Sequence, residues 1–244
     1  MITLTTDFGY KDHYVGVMKG VILKINPHAK IVDITHNVER HSIRHAAYVL
    51  NAILPYFPPA VHVFVVDPGV GTERKGIAAK IENSWYVGPD NGILTYVAHK
   101  VSEVYELQIE PESTTFHGRD VFAPAAAYID IGNFEILKKA ENFEIFEYRK
   151  AMRNENRINC EVIHIDHFGN VITNVPKEMV KDAKGIKVIG KNVRFLPSYG
   201  YAKKGELIAL VNSENFLEFA VNQGDASKRL ALEVGDRIEI IVQQ

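Results

Sequence analysis

The amino-acid sequence predicts an α/β protein in two parts: a largely parallel-sheet amino-terminal domain over residues 1–150, and a smaller β-rich carboxyl-terminal domain over residues 151–244, built as an antiparallel sheet or barrel. Three observations predict it. Strand-like and helix-like hydrophobic periods alternate from Ile2 to Val66, which calls for parallel strands joined by right-handed crossovers. Residues 135–157 then mix charges of both signs with few aliphatic side chains, the composition of a solvated helix or linker and of a domain boundary. Beyond them the pattern changes to short β-type runs broken by turn signals.

In chain order, Ile2–Thr6 alternates and is β-branched, so it reads as a first strand, ending in Asp7, Phe8 and Gly9. Tyr14–Ile25 places Val15, Met18, Val21, Ile22 and Ile25 on one helical face and stops before Pro27. Residues 31–34 form a second strand. Ser42 is placed to cap a helix whose Ile43, Ala46, Ala47, Leu50 and Leu54 share a face. Residues 61–66, apolar except for His62, read as a buried strand that runs into Asp67, Pro68, Gly69 and Gly71. Proline ends the strand and the glycines turn the backbone, so the Asp67 carboxylate stands at the strand's carboxyl end, the edge at which open α/β sheets bind ligands.

Gly76–Ile81 and residues 85–87 read as short strands, and PDNG at residues 89–92 as a turn into a short helix over 93–97. Residues 103–107 form a further strand. Residues 115–129 open as a loop and close as an apolar helix, with His117 and Asp120 at its mouth and Asp120 placed to cap it. In the second part, residues 162–166, 171–175, 186–195, 206–211, Phe216–Val221 and 237–242 are the β-type runs, with IGKN, NSEN and NQGD as turn signals.

Composition narrows the function classes. Apolar residues make up 46% and charged residues 24% of 244, with a net charge of -2, the balance of a soluble globular protein with no call for nucleic acid or an anionic membrane as partner. The single cysteine, Cys160, excludes an intramolecular disulfide and fits a reducing compartment; its strand-like setting makes it a packing residue. ITLTT follows Met1 without a basic and apolar leader, and no apolar run approaches a membrane span, so the expectation is a cytoplasmic protein.

Chemistry-bearing side chains gather at the strand ends. Asp67 and Arg74 share one glycine-rich loop; a guanidinium can clamp a carboxylate with two donors, either as a reactive site or as a salt bridge stapling the loop. Asp7 and Asp12 with His13, and His117 with Arg119 and Asp120, form two further clusters, and Asp166, His167, Phe168, Gly169 and Asn170 a third. A carboxylate at a strand end suits the vicinal hydroxyls of a ribose, and an aromatic ring beside an asparagine suits a purine. Asp7, Asp12, His13, His41, His45 and His117 are also conceivable metal ligands, but no HExxH is present, and His41 with His45 at a polar helix start reads as solvated or capping. The loop at residues 69–76 matches neither GxGxxG nor GxxxxGK, which argues against a dinucleotide or triphosphate cradle.

Taken in order, TTDFG, DPGVGTERKG, GPDNGILT, TFHGRD, IDHFGNVITN and LVNSEN resemble the S-adenosylmethionine hydroxide adenosyltransferases, relatives of the fluorinating and chlorinating enzymes, over essentially the whole chain. The resemblance implies hydrolysis of S-adenosylmethionine to adenosine and methionine without a metal or other cofactor. It also implies a seven-stranded α/β domain, a barrel-like carboxyl domain, and a homotrimer whose sites lie between the amino domain of one subunit and the carboxyl domain of the next. It assigns Asp67, Arg74 and His117 to a water-activating triad and Asp7 to the ribose hydroxyls. Asp166 and Ser213 match positions that contact the methionine part; Phe168, Asn170 and Tyr201 match the adenine pocket, with Glu218 and Val221 in the strand that closes it. Asp67 stands where the halogenating branch carries an aromatic residue, His117 and Gly118 replace a pair that includes the halide-holding serine, and the long insertion of that branch is missing between Ile81 and Trp85. Water is thereby favoured over halide as nucleophile. A metal-dependent hydrolase, a halide-using transferase and a non-catalytic adenosine or S-adenosylmethionine sensor are the competing readings.

Overall fold

The computed structural model describes residues 1–243 and divides into two compact units, Met1–Phe146 and Glu147 onward. The first unit runs β1 (Ile2–Thr6), α1 (Tyr14–Ile25), β2 (Ile31–Thr35), α2 (Ile43–Ile53), β3 (Val61–Val65), β4 (Gly76–Ile81), β5 (Ser84–Pro89), β6 (Val101–Leu107), α3 (Ala123–Asp130) and β7 (Leu137–Ala140). Its seven-stranded sheet has the order β2-β1-β3-β5-β4-β6-β7. The strands β2, β1, β3 and β5 are parallel, as the crossover pattern predicts; β4, β6 and β7 join antiparallel.

Alternation along β3 explains the layering. Val61, Val63 and Val65 point into a core shared with Met18 and Ile22 of α1 and Ala125 and Ala126 of α3, while Phe64 and Val66 pack with Ala46 and Leu50 of α2 on the other face. Ser42 caps α2 by accepting from the His45 amide at 3.3 Å. Because Ile2 pairs with Val61 and Thr6 with Val65, β1 and β3 end side by side and deliver Asp7 and Asp67 to the same edge.

Three local expectations change. Residues 135–157 form no helix: Leu137–Ala140 is an edge strand on β6, its Lys138 and Lys139 exposed, as suits a sheet edge that must not pair further. The short helix expected over 93–97 is a 3-10 turn at Thr95–Lys100. Asp120 caps no helix; α3 starts at Ala123 without a side-chain cap, and Asp120 instead accepts from the Ser113 amide at 2.8 Å and binds Arg119.

The second unit runs β8 (Met152–Asn154), β9 (Arg157–Ile165), β10 (Val171–Pro176), β11 (Gly185–Val188), β12 (Lys191–Phe195), β13 (Leu207–Val211), β14 (Phe216–Val221), α4 (Ala226–Leu230) and β15 (Arg237–Gln243). The order β10-β14-β13-β12-β11-β15-β9 closes through β9–β10 into a seven-stranded barrel, with β8 outside it on β9. Every pairing is antiparallel except β12–β13. The run 186–195 is a hairpin, turned at Ile189 and Gly190, both in the left-handed region. Cys160 is buried in the barrel core, where burial pushes its thiol up to about 12, so it packs and does not react.

Candidate active site

At the carboxyl edge of the first sheet, a cavity of about 270 Å³ is lined by Asp7, Asp67, His117, Arg40, His41 and the rings of Phe8, Tyr14 and Phe116, among others. Asp67 leaves β3 on the Pro68–Gly71 turn, and Arg74 folds back over it. Arg74 Nε donates to Asp67 Oδ1 at 3.1 Å and Nη2 donates to Oδ2, a two-point clamp between side chains only 9% and 5% exposed. Arg74 also donates to the Lys75 carbonyl at 3.0 Å and lies over the Phe122 ring, so its plane is fixed from several sides.

His117 reaches this pair from the other loop. Its Nδ1 is 3.0 Å from Arg74 Nη2. A guanidinium can only donate, so Nδ1 accepts and the neutral ring carries its proton on Nε2. Burial and the Arg74 charge both hold the His117 pKa below its ordinary value, in keeping with that tautomer. Asp67 is pushed the other way: burial raises its pKa, against the opposing pull of Arg74, His117 and the Gly69 amide. The two loops meet at Gly71, whose φ of +78° and close approach to the Thr114 carbonyl, 2.5 Å from where a Cβ would stand, admit only glycine.

Asp7 lies on the same wall, its Oδ2 accepting from the His41 amide at 2.9 Å. Phe8, Tyr14 and Phe116 form one aromatic cluster beside it, with ring centroids 5.2–5.9 Å apart. Tyr14 and Arg40 carried no signal in the sequence beyond a helix start and a charged loop. His45 caps backbone as expected, accepting from the Glu39 amide at 3.2 Å. No group of three or more His, Cys, Asp and Glu side chains among the described residues is arranged to hold a metal ion.

The second unit has its own cavity, of about 600 Å³, lined by Asp166, Phe168, Asn170, Tyr199, Val221 and residues 222–224. Here Asp166 shapes the loop: Oδ1 accepts from the Phe168 and Asn170 amides and Oδ2 from the Asn170 side chain, each at 2.9 Å. Phe168 is thereby left 72% exposed at the cavity wall, a free face for a planar ligand. Glu218 is buried behind that wall. It accepts from Tyr199 Oη at 2.6 Å, and burial pushes its carboxyl up to about 7. Tyr201 stands exposed two residues beyond Tyr199, and Ser213 sits in the β13–β14 turn donating to Glu214; neither lines this cavity. The resemblance points to Tyr201, whereas the tyrosine that lines the cavity is Tyr199, and SYGYA offers no periodicity that separates the two.

Comparison with known proteins gives this geometry its context. A family model described as the SAM hydroxide adenosyltransferase N-terminal domain matches residues 2–138, and one for the C-terminal domain of the same family matches residues 160–239. The chain is 45% identical to an (R)-S-adenosyl-L-methionine hydrolase of Methanocaldococcus jannaschii over 99% of this chain and 95% of that protein. It is 36% identical to one of Thermus thermophilus over 97% of each. A fluorinase of Actinoplanes is more distant at 25% over 96% of this chain and 95% of that one. Among solved structures, an uncharacterized conserved protein from Thermotoga maritima superposes with a TM-score of 0.91 at 41% identity, covering 99% of this chain and 100% of that one. With both domain models matched in order around the two cavities, the chain belongs to the SAM hydroxide adenosyltransferase family.

Proposed function

We propose that this protein hydrolyses S-adenosyl-L-methionine to adenosine and L-methionine by attack of activated water at ribose C5′. The observation that carries the reading is that Asp67 and His117, joined through Arg74, line one cavity with Asp7. The sulfonium makes C5′ electrophilic, and methionine leaves as a neutral thioether, so departure needs no acid. The water oxygen forms the bond to C5′, the C5′–sulfur bond breaks with its electron pair going to sulfur, and one water proton must be removed.

Asp67 is the acceptor in this reading. Arginine does not deprotonate, and the Nδ1 lone pair of His117 is already taken by Arg74, whereas the Asp67 carboxylate keeps a lone pair beyond the Arg74 clamp and the Gly69 amide bond. Its raised pKa makes it a better base than an exposed carboxylate, while Arg74 keeps it ionised near neutrality. His117 orients the water with its remaining N–H. Asp7 holds the ribose hydroxyls. The barrel cavity takes the adenine and methionyl portions through Phe168, Asn170, Val221 and Asp166, with Glu218, Tyr201 and Ser213 in supporting contacts. We assign the protein to a cytoplasmic homotrimer in which the first-unit cavity of one copy and the barrel cavity of the next complete each site.

The test is product analysis after incubating metal-stripped protein with S-adenosylmethionine in oxygen-labelled water, with sedimentation of the same sample. Label at the adenosine 5′ oxygen with equimolar methionine supports the reading. Bound but unchanged substrate makes the protein a sensor, and halogenated adenosine on adding chloride or fluoride makes it a transferase.

A further inference from the structure

Behind the Asp7 loop lies a buried polar chain that the proposed reaction does not use. His36, just past the end of β2, is fully buried, its ring held between two side chains from different elements. Nδ1 is 2.8 Å from Thr6 Oγ1 at the end of β1, and Nε2 faces Asp33 Oδ1 at 3.2 Å, a polar contact off the line of a good hydrogen bond. Asp33 Oδ2 accepts from Lys19 Nζ of α1 at 2.6 Å, and the Tyr10 ring closes the cluster edge-on at 5.0 Å from the imidazole.

Lys19 can only donate, so Asp33 is an ionised acceptor. Burial holds the His36 pKa down, so the ring is neutral with its proton on Nε2, toward Asp33, and Nδ1 accepts from the Thr6 hydroxyl. The Thr6 oxygen is then free to accept from the Phe8 amide, at 3.2 Å. From the Phe8 amide through Thr6 and His36 each donor points toward Asp33, which Lys19 meets from the other side, and the chain ends on the residues either side of Asp7. The His36 carbonyl adds a second hold by accepting from the Gly9 amide at 2.7 Å, and the Thr6 carbonyl accepts from the Val38 amide at 3.2 Å. Asp7 therefore sits in a turn tied to His36 on both sides, by the Thr6 hydroxyl before it and by the Gly9 amide after it.

We infer that His36, backed by Asp33 and Lys19, is a positioning residue that fixes the Asp7 carboxylate for the ribose hydroxyls of the substrate. This rests on the function proposed above and adds a residue that touches no substrate. A carboxylate that must accept from two vicinal hydroxyls tolerates little rotation, so a slack turn costs binding through that contact alone.

The discriminating measurement is kcat and KM for wild type, His36→Ala, Asp7→Ala and the double variant, on S-adenosylmethionine and on the analogue lacking both ribose hydroxyls. His36→Ala should raise KM for the natural substrate by about tenfold with little change in kcat, and by less than about twofold for the analogue, where Asp7 has nothing to hold. The double variant should be no worse than Asp7→Ala, because the two act as one unit. His36→Asn, which retains an acceptor near the Nδ1 position, should recover most of the loss, and Lys19→Met at the half-exposed end of the chain gives a smaller effect of the same kind if His36→Ala does not fold. Equal losses on both substrates, or additive losses in the double variant, overturn the inference. If wild type forms no adenosine, the hydrolase reading fails separately, and the same comparison is made with calorimetric affinities for adenosine and 2′,3′-dideoxyadenosine.

Discussion

Replacing Asp67 by Asn keeps the side-chain volume and removes the charge, which separates two consequences that the structure sizes differently. The first is stability. Arg74 is only 9% exposed and its Nε and Nη2 both point at Asp67; an amide there can accept from one of them but turns its own NH₂ against the other. Leaving one member of a buried pair uncompensated costs about 3–5 kcal/mol. The second is rate. Loss of a positioned general base slows turnover by about 10² to 10⁴, or about 3–5 kcal/mol in the barrier. The two are told apart by Asp67→Ala/Arg74→Ala, which removes both charges: it should recover much of the stability and none of the rate. The assay is single-turnover adenosine release at saturating substrate, alongside calorimetric adenosine affinity and urea unfolding. Adenosine affinity should stay within about threefold, since the base acts at the transition state. Wild-type turnover should also fall as pH drops through the folded pKa of Asp67, which burial holds above 3.8, whereas the residual Asn rate should lack that limb. A variant that keeps its rate within about tenfold, or whose rate falls only as far as its affinity, would refute the assignment of Asp67 as base.

Two further expectations follow from particular contacts. Glu218 has its folded pKa raised from 4.5 to about 7, so its favourable contribution is complete below pH 4.5 and is lost as pH rises through about 7; the difference corresponds to about 3 kcal/mol. Glu218→Gln should therefore remove that decline, so that urea unfolding of wild type and variant diverges between pH 5 and pH 8 in the variant's favour; parallel curves would mean that Glu218 titrates normally. Gly71→Ala forces a left-handed residue and a Cβ 2.5 Å from the Thr114 carbonyl, so the Asp67 and His117 loops must part; turnover should drop by about 10² while adenosine affinity holds, and an unchanged rate would show that this contact does not set the triad.

Much of this protein is written locally. The bounds of β1 and α1, the Ser42 cap and the delivery of Asp67 to a turn follow from β-branching, helical spacing, a short polar side chain and proline, all of which act within a few residues. The six ordered motifs carried the family. Where the reading failed, a partner outside the element itself decided. Within the charged stretch after Glu135, Leu137–Ala140 is an edge strand because β6 offers open hydrogen-bonding groups, and Asp120 turns from the helix to Ser113 because the loop before it folds back.

The sequence by itself determined the two-part α/β and β-rich architecture and the set of side chains that reach the strand ends, because both depend on periodicity and on residue type. Only the tertiary structure decided which nitrogen of His117 carries the proton, that Tyr199 and not Tyr201 lines the barrel cavity, and that His36 stands behind Asp7. These depend on which groups meet across 43, 19 and 30 residues of chain, in His117 with Arg74, Tyr199 with Glu218 and His36 with Thr6. Hydrogen-bond direction and desolvation exist only once those groups are brought together, and no local pattern encodes them.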